Sequence, residues 1–439
     1  MPDALMSENM SPGLLKVAER ARREPEGRFH ALAHLIDGPA LARAYRRMRK
    51  DAAVGVDGVT KEQYGLDLER NLQGLHERLR SKRYRHQPIR RVHIPKDKGK
   101  TRPIGISAFE DKLVQDAVRE VLEAIYEQDF LDCSYGFRPG RSAHDAIRAL
   151  DRLVYKGKVG WILEADIVSF FDSVDRTKLL EMLQTRVADG SLLRLIGKCL
   201  HVGVLDGAEY SEPEIGTAQG SVLSPLLGNI YLHYVLDLWF DREVKPRTRG
   251  EAHLIRYADD FVMVFERQDD AERVMEVLHK RMGRFGLTLH PDKTRLLPFQ
   301  RPPAAQTGGK GLATFDFLGF TLYWRRTLRG QWQMACKTRS ARLRRAVQSV
   351  ADWCRRYRHL PVKVQHAALK RRIQGHFNYF GVNGNVRSLL LLVEEAKRAW
   401  YKWLCRRSNR VRLNWEGFGE MLKSLPLPRP RVIVRIWGT

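Results

Sequence analysis

The tetrapeptide Tyr257-Ala258-Asp259-Asp260 constrains this chain more than any other feature, because it sets two adjacent carboxylates between two apolar runs rich in Ile, Val and Phe. Leu254 to Tyr257 and Phe261 to Phe265 read as strands, so the acids ride at the tip of a tight β-hairpin. Asp is a favoured turn residue, and two acids at a turn mean little alone. A third carboxylate changes that. Asp166 closes the run Trp161-Ile162-Leu163 and precedes Ile167-Val168 and Phe170-Phe171-Asp172, a strand entering a turn. An acid at one strand end beside a hairpin carrying two more repels its neighbours unless cations sit among them. Mg²⁺ is hard and binds a few carboxylates together with substrate phosphates, and Mn²⁺ accepts similar oxygen ligands. A pair of such ions can activate a hydroxyl and stabilise a leaving group in an in-line displacement.

The composition points to a polyanionic partner. The chain carries 77 basic against 51 acidic side chains, a formal charge of +26, which draws polyphosphates and fits an acidic-metabolite enzyme poorly. From Lys337 onward there are 24 Lys and Arg against 5 Asp and Glu, so most of the surplus lies in the last quarter. Aromatics interleave it: Trp353, Tyr357, Phe377, Tyr379, Phe380, Trp400, Tyr401, Trp403 and Trp415. Basic side chains hold a backbone while aromatics stack on bases or fill helix cores. Leu343, Val347 and Val350 mark one helical face, and Leu389, Val393, Ala396 and Trp400 another, each opposed by Arg and Lys. The stretch Gly375 to Gly381 and the pair Gly384-Asn385 read as a turn between them.

Other segments bear on phosphate handling. Lys96, Lys100 and Arg102 lie on a basic ribbon punctuated by Pro and Gly, suited to gripping a triphosphate or simply to solvation. Gln219-Gly220 precedes Ser224-Pro225, which reads as a helix start with Ser at the N-cap and Pro at the first turn. Leu226, Leu227, Ile230, Tyr231, Tyr234, Val235 and Leu238 follow with amphipathic spacing and belong to a core. Lys293 comes after a helix faced by Val274, Leu278 and Met282 and ended by Gly286; it is a candidate proton donor or a surface lysine. The five cysteines are scattered without a Cys-x-x-Cys pair, which argues for a reducing cytosol and against a zinc module. No apolar stretch is long enough to span a membrane and no signal peptide is evident.

These segments together resemble the bacterial group II intron-encoded reverse transcriptases and maturases. The likeness is carried by Lys100 to Ile106, Ser134-Tyr135-Gly136-Phe137-Arg138-Pro139-Gly140-Arg141-Ser142, Ala165-Asp166-Ile167, Gln219 to Leu227 with Asn229 to Leu232, the Tyr-Ala-Asp-Asp box, Gly286-Leu287 with Lys293-Thr294, and Phe317 to Phe320. The resemblance implies an α+β right-hand polymerase fold: an N-terminal extension and start of fingers over residues 1–85, fingers and palm (antiparallel sheet plus helices) over 86–325, and a helical thumb or maturase domain over 326–439. It implies an RNA-directed DNA polymerase in which Asp166, Asp259 and Asp260, helped by the Ile167 backbone, hold two Mg²⁺ ions. It assigns Lys96 and Arg102 to the incoming triphosphate, Gln219 to the nucleotide, Gly220 to close backbone approach, and an aromatic at position 171 to exclusion of a ribose 2′-hydroxyl. Phe170 competes with Phe171 for that last role, and only spacing favours Phe171. The usual Pro-Gln-Gly-Gly is here Ala218-Gln219-Gly220-Ser221, a differently tuned loop.

The expected nucleic-acid contacts are Arg138, Arg141, Lys337, Arg339, Arg344, Arg345, Arg371, Arg372, Lys397, Arg398, Lys402, Arg406 and Arg407. The expected partners are an RNA template, in the leading reading group II intron RNA, a DNA primer or target, and dNTPs, in the bacterial cytosol and on the nucleoid. A free-standing relative serving DNA repair or phage defence, and a splicing factor that binds RNA without polymerising, are the competing readings. Residues 1 to about 25 read as poorly ordered.

Overall fold

The computed structural model describes residues 10–95, 101–207, 209–211, 215–217, 220–306, 309, 311–407 and 413–437. Lys96, Lys100, Ala218 and Gln219, singled out above, lie outside the described residues. The N-terminal part is helical: α1 (Pro12–Arg23), α2 (Gly38–Arg47), α3 (Lys61–Gly65) and α4 (Leu68–Arg80). The expectation of disorder up to about residue 25 is therefore corrected from residue 10 onward. Ser11 caps α1 by accepting from the Leu14 amide, Pro12 opens its first turn, and Leu14 and Ala21 bury against the long helix α5 (Phe109–Asp129). Val17 and Ala18 pack against the same core, so the inward face is Leu14, Val17, Ala18 and Ala21, at the three-and-four spacing of a helix.

Between α4 and α5 the ribbon β1 (Ile89–Pro95) and β2 (Thr101–Ile106) pairs antiparallel. Next come α6 (Ala143–Lys156), β3 (Trp161–Asp166), α7 (Phe170–Ser173), α8 (Arg176–Gln184) and α9 (Gly190–Leu200). The short strands β4 (Val204–Asp206) and β5 (Glu209–Ser211) extend the ribbon into a sheet of order β2-β1-β4-β5. Helix α10 (Ser224–Leu232) follows and continues in π-helical turns as far as Val244. It starts one residue earlier than its sequence suggests: Leu223 takes the cap position and Ser224 is buried inside the first turn.

The central sheet is β6 (Ala252–Tyr257), β7 (Asp260–Phe265), β3 and β8 (Arg295–Pro298), in the order β6-β7-β3-β8 and antiparallel throughout, with α11 (Gln268–Arg284) linking β7 to β8. Phe261 to Phe265 are all buried because both faces of this sheet are covered. Leu163, Ala165, Leu254, Phe261, Met263 and Phe265 face the core shared with α5, α10 and α11. Ile162, Ile255, Val262 and Val264 face the opposite core, shared with α6 and a second sheet. That second sheet is β9 (Phe315–Phe317), β10 (Phe320–Arg326) and β11 (Trp332–Thr338), in the order β11-β10-β9.

The hairpin of β10 and β11 crosses residue 326, so the C-terminal helices start at Ser340 and not at 326 as expected from sequence. They are α12 (Ser340–Arg356), α13 (Val362–Phe380), α14 (Val386–Cys405) and α15 (Trp415–Ser424), around a core of Val350, Cys354, Leu369, Ile373, Phe377, Leu389, Val393 and Trp400. The predicted turn at Gly375 is not there: α13 runs through it and ends at Gly381. Helix propensity costs of roughly 1 kcal/mol for one Gly yield to the burial of Ile373 and Phe377 on either side. After α15 the chain turns back. Leu427 joins the helical core, the Ile433 and Val434 amides donate to the Gly381 carbonyl, and Ile436 and Trp437 reach the core of the second sheet.

Candidate active site

Antiparallel pairing of β3 with β7 puts Asp166 directly opposite Asp260, and pairing of β6 with β7 makes Tyr257 and Asp260 the last pair before a two-residue turn, Ala258-Asp259. Directly opposed residues share a face, so Asp166 and Asp260 project from the same side of the sheet end. Ala258 enters the turn at φ +55°, the left-handed backbone that such tight hairpins require. Gly136 makes this possible from outside: a Cβ there would lie 2.4 Å from the Ala258 amide nitrogen.

Asp260 is partly buried, and burial, then Asp166, Asp259 and Glu164, push its carboxyl up to about 7. The Leu318 amide opposes this by donating to Asp260 Oδ2 at 3.3 Å. Asp259 is raised as well, first by burial and then by Asp166, against its own backbone amide, Arg102 and Lys293. Lys293 donates from Nζ to Asp166 Oδ2. It reaches that position because the chain after α11 runs beside the end of β3: the Val168 amide donates to the Thr288 carbonyl and the His290 amide to the Asp166 carbonyl, both at 2.8 Å. Those bonds use the neighbours of Ile167, so the Ile167 carbonyl is directed to the other side of the strand, where β7 lies. Among the described residues no three acidic, His or Cys side chains converge closely enough to hold one ion between them. The donor set is nonetheless all hard oxygen, and its crowding of like charges is relieved by a cation.

The other predicted residues are placed as follows. Arg102 is exposed on β2 and acts electrostatically on Asp259. Phe170 is 2% exposed and belongs to the core, whereas Phe171 is partly exposed and packs against that core. Gly220, at φ +109°, packs so closely on β2 that a Cβ would lie 2.6 Å from the Gly105 carbonyl oxygen. Arg138 corrects the sequence reading. It is buried, paired with Glu127 at 3.0 Å and bonded to the Leu131 and Ser134 carbonyls, so it braces the loop and does not offer itself to nucleic acid. Arg141 is largely occupied by Asp132.

On the C-terminal helices and the strand before them, Lys337, Arg339, Arg344, Arg345, Arg371, Arg372, Arg398, Lys402, Arg406 and Arg407 are exposed, and Lys397 is partly so. Arg339 is paired with Asp316, Lys397 with Glu394 and Arg398 with Glu395. Arg372 lies over the Trp353 ring and Arg406 over Trp403, at 4.9 and 5.4 Å.

Arg256 was missed. Fully buried on β6, its guanidinium bonds Asp237 through Nε and Nη2 at 2.7 and 2.6 Å, Asn229 and the Ala258 carbonyl through Nη1, and Ser134 through Nη2. It thereby joins the turn to α10 and to the Ser134 loop. The signal for it was a lone cation inside an apolar strand, which demands a buried acid elsewhere. A second two-residue turn, Leu318-Gly319, meets the first through the Leu318 amide, and the Tyr379 hydroxyl donates to the Leu318 carbonyl at 2.7 Å.

Residues 94–322 match the reverse transcriptase (RNA-dependent DNA polymerase) family. Protein YkfC of Escherichia coli (strain K12) is 34% identical over 353 residues, covering 73% of this chain and 90% of that protein. The group II intron-encoded protein LtrA of Lactococcus lactis subsp. cremoris is 35% identical over 249 residues, 54% of this chain but only 41% of LtrA. An uncharacterized 91 kDa protein in the cob intron of Schizosaccharomyces pombe is 45% identical over 155 residues, 35% of this chain and 19% of that protein.

Proposed function

Because this chain belongs to the group II intron-encoded reverse transcriptases and is an RNA-directed DNA polymerase, we propose that Asp166, Asp259 and Asp260 are its catalytic acids and hold a pair of Mg²⁺ ions. Reverse transcriptases work with divalent metal ions; that there are two, and that they are Mg²⁺, is part of the proposal. When bound, such ions polarise the primer 3′-hydroxyl and offset charge on the leaving pyrophosphate. The opposition of Asp166 and Asp260 across β3 and β7, with Asp259 at the adjoining turn, carries the reading.

The chain's own residues supply the rest. Arg102, with Lys96 and Gln219, orients the triphosphate, and Gly220 lets the backbone approach it. Phe171 excludes a ribose 2′-hydroxyl, which sets dNTPs over NTPs. Lys293, bonded to Asp166, is the candidate proton donor to pyrophosphate. In right-hand terms the central sheet with its flanking helices is the palm, the β1–β2 ribbon with the N-terminal helices the fingers, and the bundle from Ser340 the thumb. The exposed arginines of that bundle grip an RNA template and DNA primer, and by likeness to LtrA the RNA is group II intron RNA, whose splicing the same surface assists.

Primer extension on an RNA template with dNTPs and Mg²⁺ tests the centre. Wild-type protein extends the primer; Asp259→Ala abolishes extension and leaves RNA binding within about twofold in a gel-shift titration. Extension retained by Asp259→Ala removes the assignment.

A further inference from the structure

The segment Gly220–Val222 packs on β2 through Gly220 and is held to α5 by the side chain of Gln115. Gln115, on α5, is completely buried. Its Oε1 accepts from the Ser221 hydroxyl at 3.0 Å and from the Val222 amide at 3.2 Å. A backbone N–H can only donate, so the Val222 contact fixes which end of the amide faces this segment. The Nε2 end is thereby turned to the Ser107 hydroxyl at 3.1 Å and to His86 Nε2 at 2.8 Å. His86 must then accept at Nε2 and carry its proton on Nδ1, which faces the Gln87 carbonyl at 2.7 Å and Asp111 at 3.3 Å. Asp111 is buried too, and also accepts from the Tyr84 hydroxyl and the Gln87 amide. All four hydrogen-bonding positions of the Gln115 amide are therefore filled, with a backed imidazole behind them.

Gln115 joins two stretches of chain at the far end of β2. Ser107 directly follows β2, the strand that carries Arg102; Gly220 packs against the same strand at Gly105. Ser221 stands where the family pattern has glycine. Its hydroxyl both donates to Gln115 and accepts from the Leu223 amide at 3.3 Å, so the substituted position makes contacts a glycine cannot make.

We propose that Gln115 is a positioning residue for the incoming nucleotide, setting the spacing between β2 and the Gly220–Val222 segment through Ser107 and Ser221, with His86 and Asp111 holding its amide in register. The proposal rests on the polymerase reading above. It predicts an effect on nucleotide affinity and not on the chemical step, because none of these side chains reaches the acids.

Single-nucleotide incorporation over a dNTP concentration series, on an RNA template and DNA primer with Mg²⁺, tests it. Ser221→Ala removes one hydroxyl from a partly buried position and should raise the dNTP KM about threefold to tenfold with kcat unchanged, the range of one hydrogen bond. Ser221→Thr, which keeps the hydroxyl, should restore it. Gln115→Leu should raise KM by about tenfold or more, and adding Ser221→Ala to it should change KM by less than Ser221→Ala does alone. Where Gln115→Leu yields no folded protein, Ser221→Ala and its rescue by Thr decide alone. An unchanged KM in Ser221→Ala, a loss confined to kcat, or additive effects in the double variant overturns the proposal while wild-type incorporation leaves the polymerase reading standing. A wild-type protein that incorporates nothing overturns both.

Discussion

Arg256 and Asp260 lie four residues apart on one hairpin, and their surroundings treat them in opposite ways. One pair in from the turn, every N–H of the Arg256 guanidinium meets an oxygen acceptor, two of them on the buried carboxylate of Asp237. At the tip, Asp260 receives the Leu318 amide and otherwise faces three more acids, which with burial raise its carboxyl to about 7. A satisfied charge holds a shape; an unsatisfied one waits for a counter-charge. The hairpin thus separates scaffold from chemistry within one turn of chain.

The sharpest way to break that contrast is to remove the Arg256 guanidinium. Arg256→Met leaves Asp237 buried without its partner and should destabilise the fold by about 3–5 kcal/mol, measured by urea denaturation with the chelated protein. A loss under about 1 kcal/mol would mean that the buried pair is not what fixes the hairpin.

A smaller effect separates Asp260 from Arg256 by pH. An unfolded chain ionises Asp260 near the ordinary carboxylate value of about 3.9, whereas the folded, metal-free protein keeps the proton up to about 7. Between those values unfolding releases a proton that the native state retains, so stability falls as pH rises through the window and levels off above it. With chelator present, the Tm of wild type should fall between pH 5 and 7.5 by a few degrees more than that of Asp260→Asn. Asp129 and Asp151, both raised by burial to about 6, contribute equally to the two proteins. Parallel curves would show that the tip carries no such strain.

The smallest effect tests the link between the two turns. Tyr379→Phe removes the hydroxyl that donates to the Leu318 carbonyl and should cost about 1 kcal/mol in thermal or urea unfolding, with fold and RNA binding intact. No measurable change would make the hydroxyl a bystander and leave the Leu318 amide as the tie between turns.

The hairpin itself was readable because period and punctuation agree: apolar runs of strand length on either side of Ala258-Asp259 leave room for little else. Asp166 was readable for the same reason. Arg256 was not, because its four partner residues come from segments as distant as Ser134 and Asp237, and only the folded chain brings them together. Arg138 misled in the opposite direction, since a basic residue in a Gly- and Pro-rich loop looks solvent-facing until Glu127 closes over it. Gly375 misled as well, its local turn preference overruled by the buried side chains of α13. Helix α1 carries a regular face of Leu14, Val17, Ala18 and Ala21 but lies near the start of the chain, where poor order is the usual expectation, and the start of the C-terminal helices was hidden by a strand pair whose second member lies beyond residue 326.

The C-terminal helices leave the sheets at Arg339 and are met again by the returning segment 427–437, which lies against Gly381, Asn383 and α6. A body joined to its base by one linker can swivel about any axis through that point. Here further ties fix the near end: the Tyr379 hydroxyl holds the Leu318 carbonyl, the Tyr379 carbonyl meets His144, and Asn385 exchanges two bonds with Thr338. A force applied along the bundle therefore reaches the Leu318 turn, and through its amide Asp260, without a free joint to absorb it.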